Sequence, residues 1–334
     1  MTSGDALKKL FRSYTQLDQE GFYIAALDLI NQEKQKKHNV LARDLLKILE
    51  NGNNKSVSST HVFDLQKVPK DKDRGTLLFD IRSSDQYLSD IVLSAELKSQ
   101  VEEIIREFVS SELLKTFGLS PRKKILFAGP PGCGKTLCAN VLAAELGLPL
   151  LYARFDSVIS SYLGETSANL RRIFDFASSG TWVVFFDEFD AIGKSRDDLS
   201  EHGELKRVVN TFLQLLDNFN SDSIFIAATN HESNLDNALW RRFDEILFFD
   251  KPDEEQVRSL VKLKLSGISH RKLSVDKFSN MMLGLSHADI ERVCMDAVKI
   301  SILSGESALT DSLFEQALKK QTRRMRLIKK NQKK

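Results

Sequence analysis

The chain has 334 residues, 42% hydrophobic and 28% charged, with a formal net charge of +2, the balance of a globular protein with room for two or three domains. No apolar run approaches the roughly 18 residues of a membrane span, and Met1-Thr-Ser-Gly-Asp5 has no apolar signal region, so no membrane association and a reducing cytoplasm are expected. The three cysteines, Cys133, Cys138 and Cys294, have no metal-site spacing.

Residues 1–50 read as helical. Leu7, Leu10, Phe11 and Tyr14 follow one helical face; Phe22, Ala25, Ala26, Leu29 and Ile30 make a second stripe, and Leu41, Leu45, Ile48 and Leu49 a third. Three short helices pack as a small bundle, which either satisfies itself or leaves a groove for a partner or substrate. The polar, turn-rich stretch from Asn51 to Thr60 and the break at Pro69-Lys-Asp-Lys-Asp-Arg-Gly75 place a linker over 51–85. A charged amphipathic helix is predicted between Leu93 and Phe117.

Gly129-Pro-Pro-Gly-Cys-Gly-Lys-Thr136 fits GxxxxGK[S/T]. Glycines let the backbone wrap a polyphosphate with its N–H groups inward, Lys135 can reach the β and γ phosphates, and the Thr136 hydroxyl can ligate Mg²⁺. The context agrees, because 124–128 reads as a short buried strand and 137–146 as a helix whose positive end points at the same anion. Cys133 lies inside this loop, as a tolerated small residue or as a thiol whose alkylation blocks nucleotide entry.

Strand candidates follow at 150–153, 182–186, 224–228 and 245–249, alternating with helices, which predicts a parallel five-stranded sheet covered on both faces. Thr181-Trp-Val-Val-Phe-Phe-Asp-Glu188 is an apolar strand ending in two acids. Ligands of open parallel sheets sit at the carboxyl ends of strands, so both acids face the phosphate loop. Asp187 is the candidate to hold Mg²⁺ through water, and Glu188 the candidate base for the attacking water. Ser223-Ile-Phe-Ile-Ala-Ala-Thr-Asn230 ends in the same cleft, where Asn230 could position water. Asn237-Ala-Leu-Trp-Arg-Arg-Phe-Asp244 sets two arginines before the last strand; arginine stabilises charge spread over a transferring phosphoryl group, and a solvated or salt-bridged pair is the alternative. Beyond Pro252 the pattern is helical, a separate lid over 251–334. The segment 319–334 carries nine Lys or Arg and no acid, leaving −7 on the rest. It can touch nucleic acid or an acidic partner, but lacks aromatics to stack bases and reads first as a solvated helix end.

In this order and spacing, the loop, the Phe-Phe-Asp-Glu strand, the Ala-Ala-Thr-Asn strand and the Ala-Leu-Trp-Arg-Arg-Phe-Asp segment resemble an AAA-family ATPase, of the broad group that includes katanin, spastin and proteasomal ATPases. The resemblance runs from about Asp90 to the C-terminus. It implies an α/β P-loop NTPase domain over 86–250, a helical lid, ATP and Mg²⁺, and a homo-hexameric ring in which Arg241 and Arg242 act on the ATP of the next subunit. It also assigns nucleotide contacts to Asp90 and Ile91 in Ser89-Asp-Ile-Val92, to Gly129, Pro130, Pro131, Gly132, Cys133, Gly134, Lys135, Thr136 and Leu137 of the loop, and to Ala288 in Gly284-Leu-Ser-His-Ala-Asp-Ile290. Ala288 stands where some AAA+ relatives carry a phosphate-sensing arginine, which weakens a clamp-loader or replication-initiator reading. Ser161-Tyr-Leu-Gly-Glu165 resembles a pore loop in which Tyr162 and Leu163 grip an extended polypeptide and Gly164 permits the bend; His202-Gly-Glu-Leu-Lys206 falls where a second would begin. Arg171 and Arg172 follow on a helix, toward a neighbour or solvent.

Residues 77–89 depart from the common form, and the N-terminal segment is no clear match to a microtubule-interacting and trafficking domain. Closer in overall look are bacterial AAA proteins encoded beside subtilisin-like serine proteases. No protease triad or His-Glu-x-x-His site occurs in the sequence, so proteolysis would belong to a partner. The function implied is ATP-driven remodelling or threading of a protein substrate. A nucleic-acid motor or loader and a nucleotide-dependent switch are the alternatives.

Overall fold

A computed structural model describes residues 26, 29–30, 68–71, 75–154, 158, 163–189, 202–231, 237–266, 273–306 and 308–331. The chain forms two units, residues 1–67 and 68–334. Of the first, Ala26, Leu29 and Ile30 are described; they are helical, with Ala26 and Ile30 buried. The other stripe residues of 1–50 and the segment 51–60 lie outside the described residues.

The second unit begins inside the stretch expected as linker. Val68, Leu78 and Phe79 are buried, and the Phe79 ring lies 5.0 Å from that of Phe176. Strand β1 (Asp80–Arg82) follows, then a 3-10 turn (Leu88–Asp90), α1 (Ala95–Val109) and α2 (Ser111–Thr116). The predicted helix over 93–117 is thus two helices, divided at Ser110. Ser94 opens α1 as its N-cap, its hydroxyl accepting the Leu97 N–H at 3.2 Å.

The α/β core continues with β2 (Lys124–Ala128), α3 (Lys135–Glu145), β3 (Leu150–Arg154), α4 (Leu163–Ser178), β4 (Val183–Asp187), α5 (His202–Asp217), β5 (Ile224–Thr229), α6 (Asn237–Trp240) and β6 (Glu245–Phe248). The strand order is β1-β3-β4-β5-β2-β6. The five expected strands are parallel, and β1 adds a sixth, antiparallel to β3. Three residues with one apolar side chain, Ile81, give no usable period in sequence, which is why β1 was not anticipated.

Strands β2, β4 and β5 are buried on both sides, so they read as continuous apolar runs. One face packs α1 and α3 onto Ile125, Phe127, Val183, Phe185, Ile224 and Ile226. The other meets an aromatic cluster in which Phe225 stacks on Phe174 at 5.3 Å and on Phe186 at 5.2 Å, with Phe212 against Phe186 and Phe189. Each buried phenylalanine contributes about 1.5–3 kcal/mol. Phe185, Phe186 and Phe189 therefore anchor the end of β4 from both faces, on either side of Asp187 and Glu188.

Beyond Pro252, Asp253 and Gln256 form a capping box that starts α7 (Glu254–Lys264). With α8 (Val275–Met281), α9 (His287–Leu303) and α10 (Asp311–Asn331) it builds a separate helical core around Val257, Val261, Phe278, Ile290, Val293 and Phe314. Val92 packs against that core, so the segment after the 3-10 turn touches the lid. Among the described residues no helix is long and apolar enough to cross a membrane.

Candidate nucleotide site

The site forms where β2, β5 and β4 end side by side. Register pairs Ala128 with Thr229 and Phe186 with Ala227, so the loop after β2 and the acids after β4 flank the end of β5. Gly129 has φ 139°, and a Cβ there would run into the Phe249 carbonyl, so only glycine fits. Gly134, at φ 99°, turns the chain into α3. Lys135 and Thr136 then open the helix, where free N–H groups and the dipole favour an anion. Lys135 is buried to 6% exposure; its ammonium donates to the Gly129 carbonyl at 2.6 Å and the Pro130 carbonyl at 3.0 Å, which braces the loop. Pro131 is exposed, and Leu137 and Pro130 are half-buried.

Across the cleft, the Thr136 hydroxyl lies 3.1 Å from Asp187 Oδ2. The same oxygen accepts from the Tyr152 hydroxyl at 3.1 Å, and Asp187 Oδ1 accepts the Glu188 backbone N–H at 2.9 Å. Glu188 is exposed and has φ 55°, the one non-glycine residue with positive φ among the described residues. A branched-free but Cβ-bearing residue held there is strained by roughly 1–3 kcal/mol, a feature that concentrates at functional sites. The left-handed turn ends β4, and the Glu188 side chain is exposed.

The lid meets the loop directly. The Ala288 N–H donates to the Gly132 carbonyl at 3.0 Å, and a Cβ on Gly132 would sit 2.9 Å from Ser286 Oγ. Ser286 caps α9: its Oγ accepts the Asp289 N–H at 3.2 Å, and Gln321 of α10 donates to Asp289 Oδ1 at 2.7 Å. His287 follows Ser286, both ring nitrogens buried without a hydrogen-bond partner among the described residues, and burial pushes its pKa below the ordinary value. Burial likewise raises the Cys133 thiol, partly offset by Lys135. At 3% exposure Cys133 is packed. Ile91 comes near the loop at Gly134, while the Asp90 carboxylate accepts the Tyr87 N–H. Ile91 approaches Gly134 within 3.9 Å of where a Cβ would lie, and the Leu88 N–H is tied to Glu145 of α3 at 2.9 Å.

Asn230 follows β5, half-buried between the loop and the acids. Arg241 and Arg242 are not brought there. They precede β6, whose Glu245 pairs with Ile125 at the start of β2, and the Asp244 N–H donates to the Lys124 carbonyl. They sit at the opposite end of a strand about 15 Å long. Arg242 pairs with Asp217 at 3.3 Å, while Arg241 is exposed. Tyr162 lies outside the described residues; the backbone of Leu163 and Gly164 forms the first turn of α4, and His202–Asp217 is helix from its start. Arg172 is tied to Asn169 at 2.9 Å and to the Lys70 carbonyl at 3.3 Å. Sequence reasoning missed Tyr152, since a lone tyrosine in an apolar strand carries no motif.

The family profile "ATPase family associated with various cellular activities (AAA)" matches residues 125–251. "Uncharacterized AAA family ATPase y4kL" of Sinorhizobium fredii is 41% identical over 326 residues, 97% of this chain and 97% of its own length. The chain belongs to the AAA family of ATPases. "Proteasome-activating nucleotidase" of Methanoregula boonei is 33% identical over 238 residues, 67% of this chain and 54% of that relative. As an AAA ATPase the chain binds nucleotide and hydrolyses ATP. Its donor set also suits Mg²⁺, which takes hard oxygen ligands and keeps several waters: a hydroxyl and a carboxylate meet at 3.1 Å beside the anion-binding helix end.

Proposed function

We propose that this AAA ATPase assembles as a homo-hexameric ring and uses ATP hydrolysis to remodel or thread a protein substrate. The observation that carries the ring is the placement of the arginines. Arg241 and Arg242 lie at the far end of β6 from the chain's own phosphate loop, beyond the reach of an arginine side chain, so a stabilising arginine at each site comes from another copy. A head-to-tail contact of this kind closes into a ring when the rotation between copies closes.

Within one chain, Lys135 and the loop amides hold the phosphates, with the resemblance adding Gly129 to Leu137, Asp90, Ile91 and Ala288 around the nucleotide. Thr136, and Asp187 through water, would hold Mg²⁺, which would supply charge neutralisation to the phosphates. Glu188, exposed just beyond β4, accepts the proton of the attacking water, and Asn230 orients that water from the end of β5. Arg241 of the neighbour, exposed and unburdened by Asp217, reaches the transferring group, with Arg242 beside it.

The protein substrate is supported by the resemblance of Tyr162, Leu163 and Gly164 to a pore loop, and by likeness to a relative named as activating a proteasome. A subtilisin-like serine protease is the partner class the resemblance implies. Nucleic acid is disfavoured: Lys319 and Lys320 at the start of the basic tail pair with Glu315 at 2.9 Å and Asp296 at 3.1 Å.

Mixing tests the ring. Glu188→Gln and the Arg241→Ala/Arg242→Ala double variant should each be nearly inactive alone, yet recover turnover when mixed, because an intact Glu188 then meets an intact arginine pair. No recovery across concentrations that drive assembly would place the arginines elsewhere in the mechanism. Tyr162→Ala should keep basal turnover and lose ATP-dependent unfolding of a tagged test protein; retained unfolding would exclude threading through that loop.

A further inference from the structure

The Asp187 carboxylate makes one contact that the phosphate-loop chemistry does not require. Its Oδ2 is shared by Thr136 and the Tyr152 hydroxyl, both at 3.1 Å. Tyr152 reaches it because of register. Tyr152 pairs with Phe185 on β4 and with Asp80 on β1, while Asp187 pairs with Arg154 and Arg82 with Leu150. With side chains alternating along each strand, Arg82, Tyr152 and Asp187 fall on one face in a diagonal row across three strands.

The tyrosine itself is clamped. The Arg82 guanidinium lies 3.6 Å from its ring centroid, held by an ion pair to Asp80 at 3.0 Å, and the Phe185 ring is 5.8 Å away. A guanidinium over a tyrosine face is attractive, so the edge strand fixes the ring, and the ring fixes the hydroxyl.

Resting on the reading that Asp187 and Thr136 hold the divalent cation, we propose that Tyr152 is a positioning residue for Asp187. Its phenol donates to the carboxylate and holds one rotamer, aimed at Thr136, when the Thr136 hydroxyl turns away from Asp187 to face the cation. Without it, Oδ2 has no fixed donor among the described residues at that moment, and the carboxylate must be ordered at the expense of cation binding. The short edge strand β1, absent from the motif pattern, would thereby tune metal affinity through Arg82.

Tyr152→Phe removes the hydroxyl and keeps the ring. Two readouts are needed: Mg²⁺ titration of turnover at saturating ATP, and Mn²⁺ binding by electron paramagnetic resonance with a non-hydrolysable ATP analogue. The variant should require roughly three- to tenfold more metal in both, the range of one ordinary net hydrogen bond, while its affinity for a fluorescent ATP analogue in EDTA stays within about twofold, since the loop is untouched. Tyr152→Leu should show the same metal shift with a lower melting temperature. A wild-type metal midpoint in Tyr152→Phe, or an equal loss of nucleotide affinity with and without metal, overturns the proposal. Asp187→Asn run in parallel separates the two levels. If it too keeps the wild-type metal midpoint, the assignment of Asp187 fails; if it loses metal while Tyr152→Phe does not, only the role of Tyr152 fails.

Discussion

Replacing Glu188 by Gly and by Ala separates backbone from carboxylate. Both variants remove the candidate base, so turnover should fall about 10²- to 10⁴-fold, the usual contribution of a general base, with nucleotide binding retained because Lys135, Thr136 and Asp187 remain. Their stabilities should differ in an uncommon direction. At φ 55° a residue with a Cβ pays roughly 1–2 kcal/mol that glycine does not, while the greater freedom of unfolded glycine returns about 0.4–1 kcal/mol of that advantage. The net favours glycine by about 0.5–1 kcal/mol, or about 2 °C in melting temperature for a unit of this size. The assay is a thermal melt of both proteins in EDTA without nucleotide, beside an ATPase measurement. At an ordinary helix or strand position alanine is the more stable of the two, so an alanine variant that melts at or above the glycine variant would refute the left-handed turn and the claim that the fold strains its backbone at this residue.

Gly129→Ala should weaken binding of a fluorescent nucleotide at least about tenfold and cost about 2 kcal/mol, because its Cβ meets the Phe249 carbonyl; titration and melting check both. Arg122→Met should cost about 1–3 kcal/mol by urea denaturation, since Arg122 joins Glu103 and Glu107 of α1 to Glu245 of β6. Its hydrogen bond holds the Glu107 carboxyl below its ordinary value of 4.5, so that contribution is present at neutral pH and lost as pH falls through the lowered pKa; the variant should flatten this acid limb. His287 is opposite in charge but alike in sign. Burial holds its pKa below 6.5, the unfolded chain binds the extra proton, and stability should decline as pH falls from about 7 towards 5. His287→Phe should remove that slope in melts across the same pH range, and an unchanged slope would assign it to other groups.

The parts of the site legible in sequence are those with strong local constraints. A loop that must wrap an anion needs glycines at fixed offsets, and strands buried on both faces must be apolar until they end in polar groups, so Gly129 to Thr136, Asp187, Glu188 and Asn230 stand out. The helical lid was legible from the break at Pro252. Tyr152, Arg82 and the Ser286, Asp289 and Gln321 cap were not, because each depends on which strand or helix lies alongside. The sequence does not state that β1 pairs with β3, and three residues are too few to announce a strand. The strain at Glu188 was equally invisible, since glutamate gives no sign of a positive φ. The buried Phe79 and Val68 lay in a stretch whose charges and glycine read as linker, though its apolar residues pack against α4 and its surroundings.

The direction of the strands separates the arginines from the phosphate loop. Parallel strands gather every phosphate-facing group at their carboxyl ends, because that is where loops from β2, β4 and β5 emerge together. A residue that precedes β6 is excluded from that edge by the same parallelism, however close it lies in sequence. Arg241 and Arg242 are therefore displayed, on the reading proposed above, at a second edge that matches the first in chemistry and cannot reach it. On that reading, a chain carrying an anion site at one end of its sheet and two arginines at the other is complementary to its own copy but not to itself, and such a contact gives a ring where the rotation between copies closes. Turnover should then rise with protein concentration more steeply than linearly below the assembly point. A specific activity independent of concentration down to monomer would mean that each chain completes its own site.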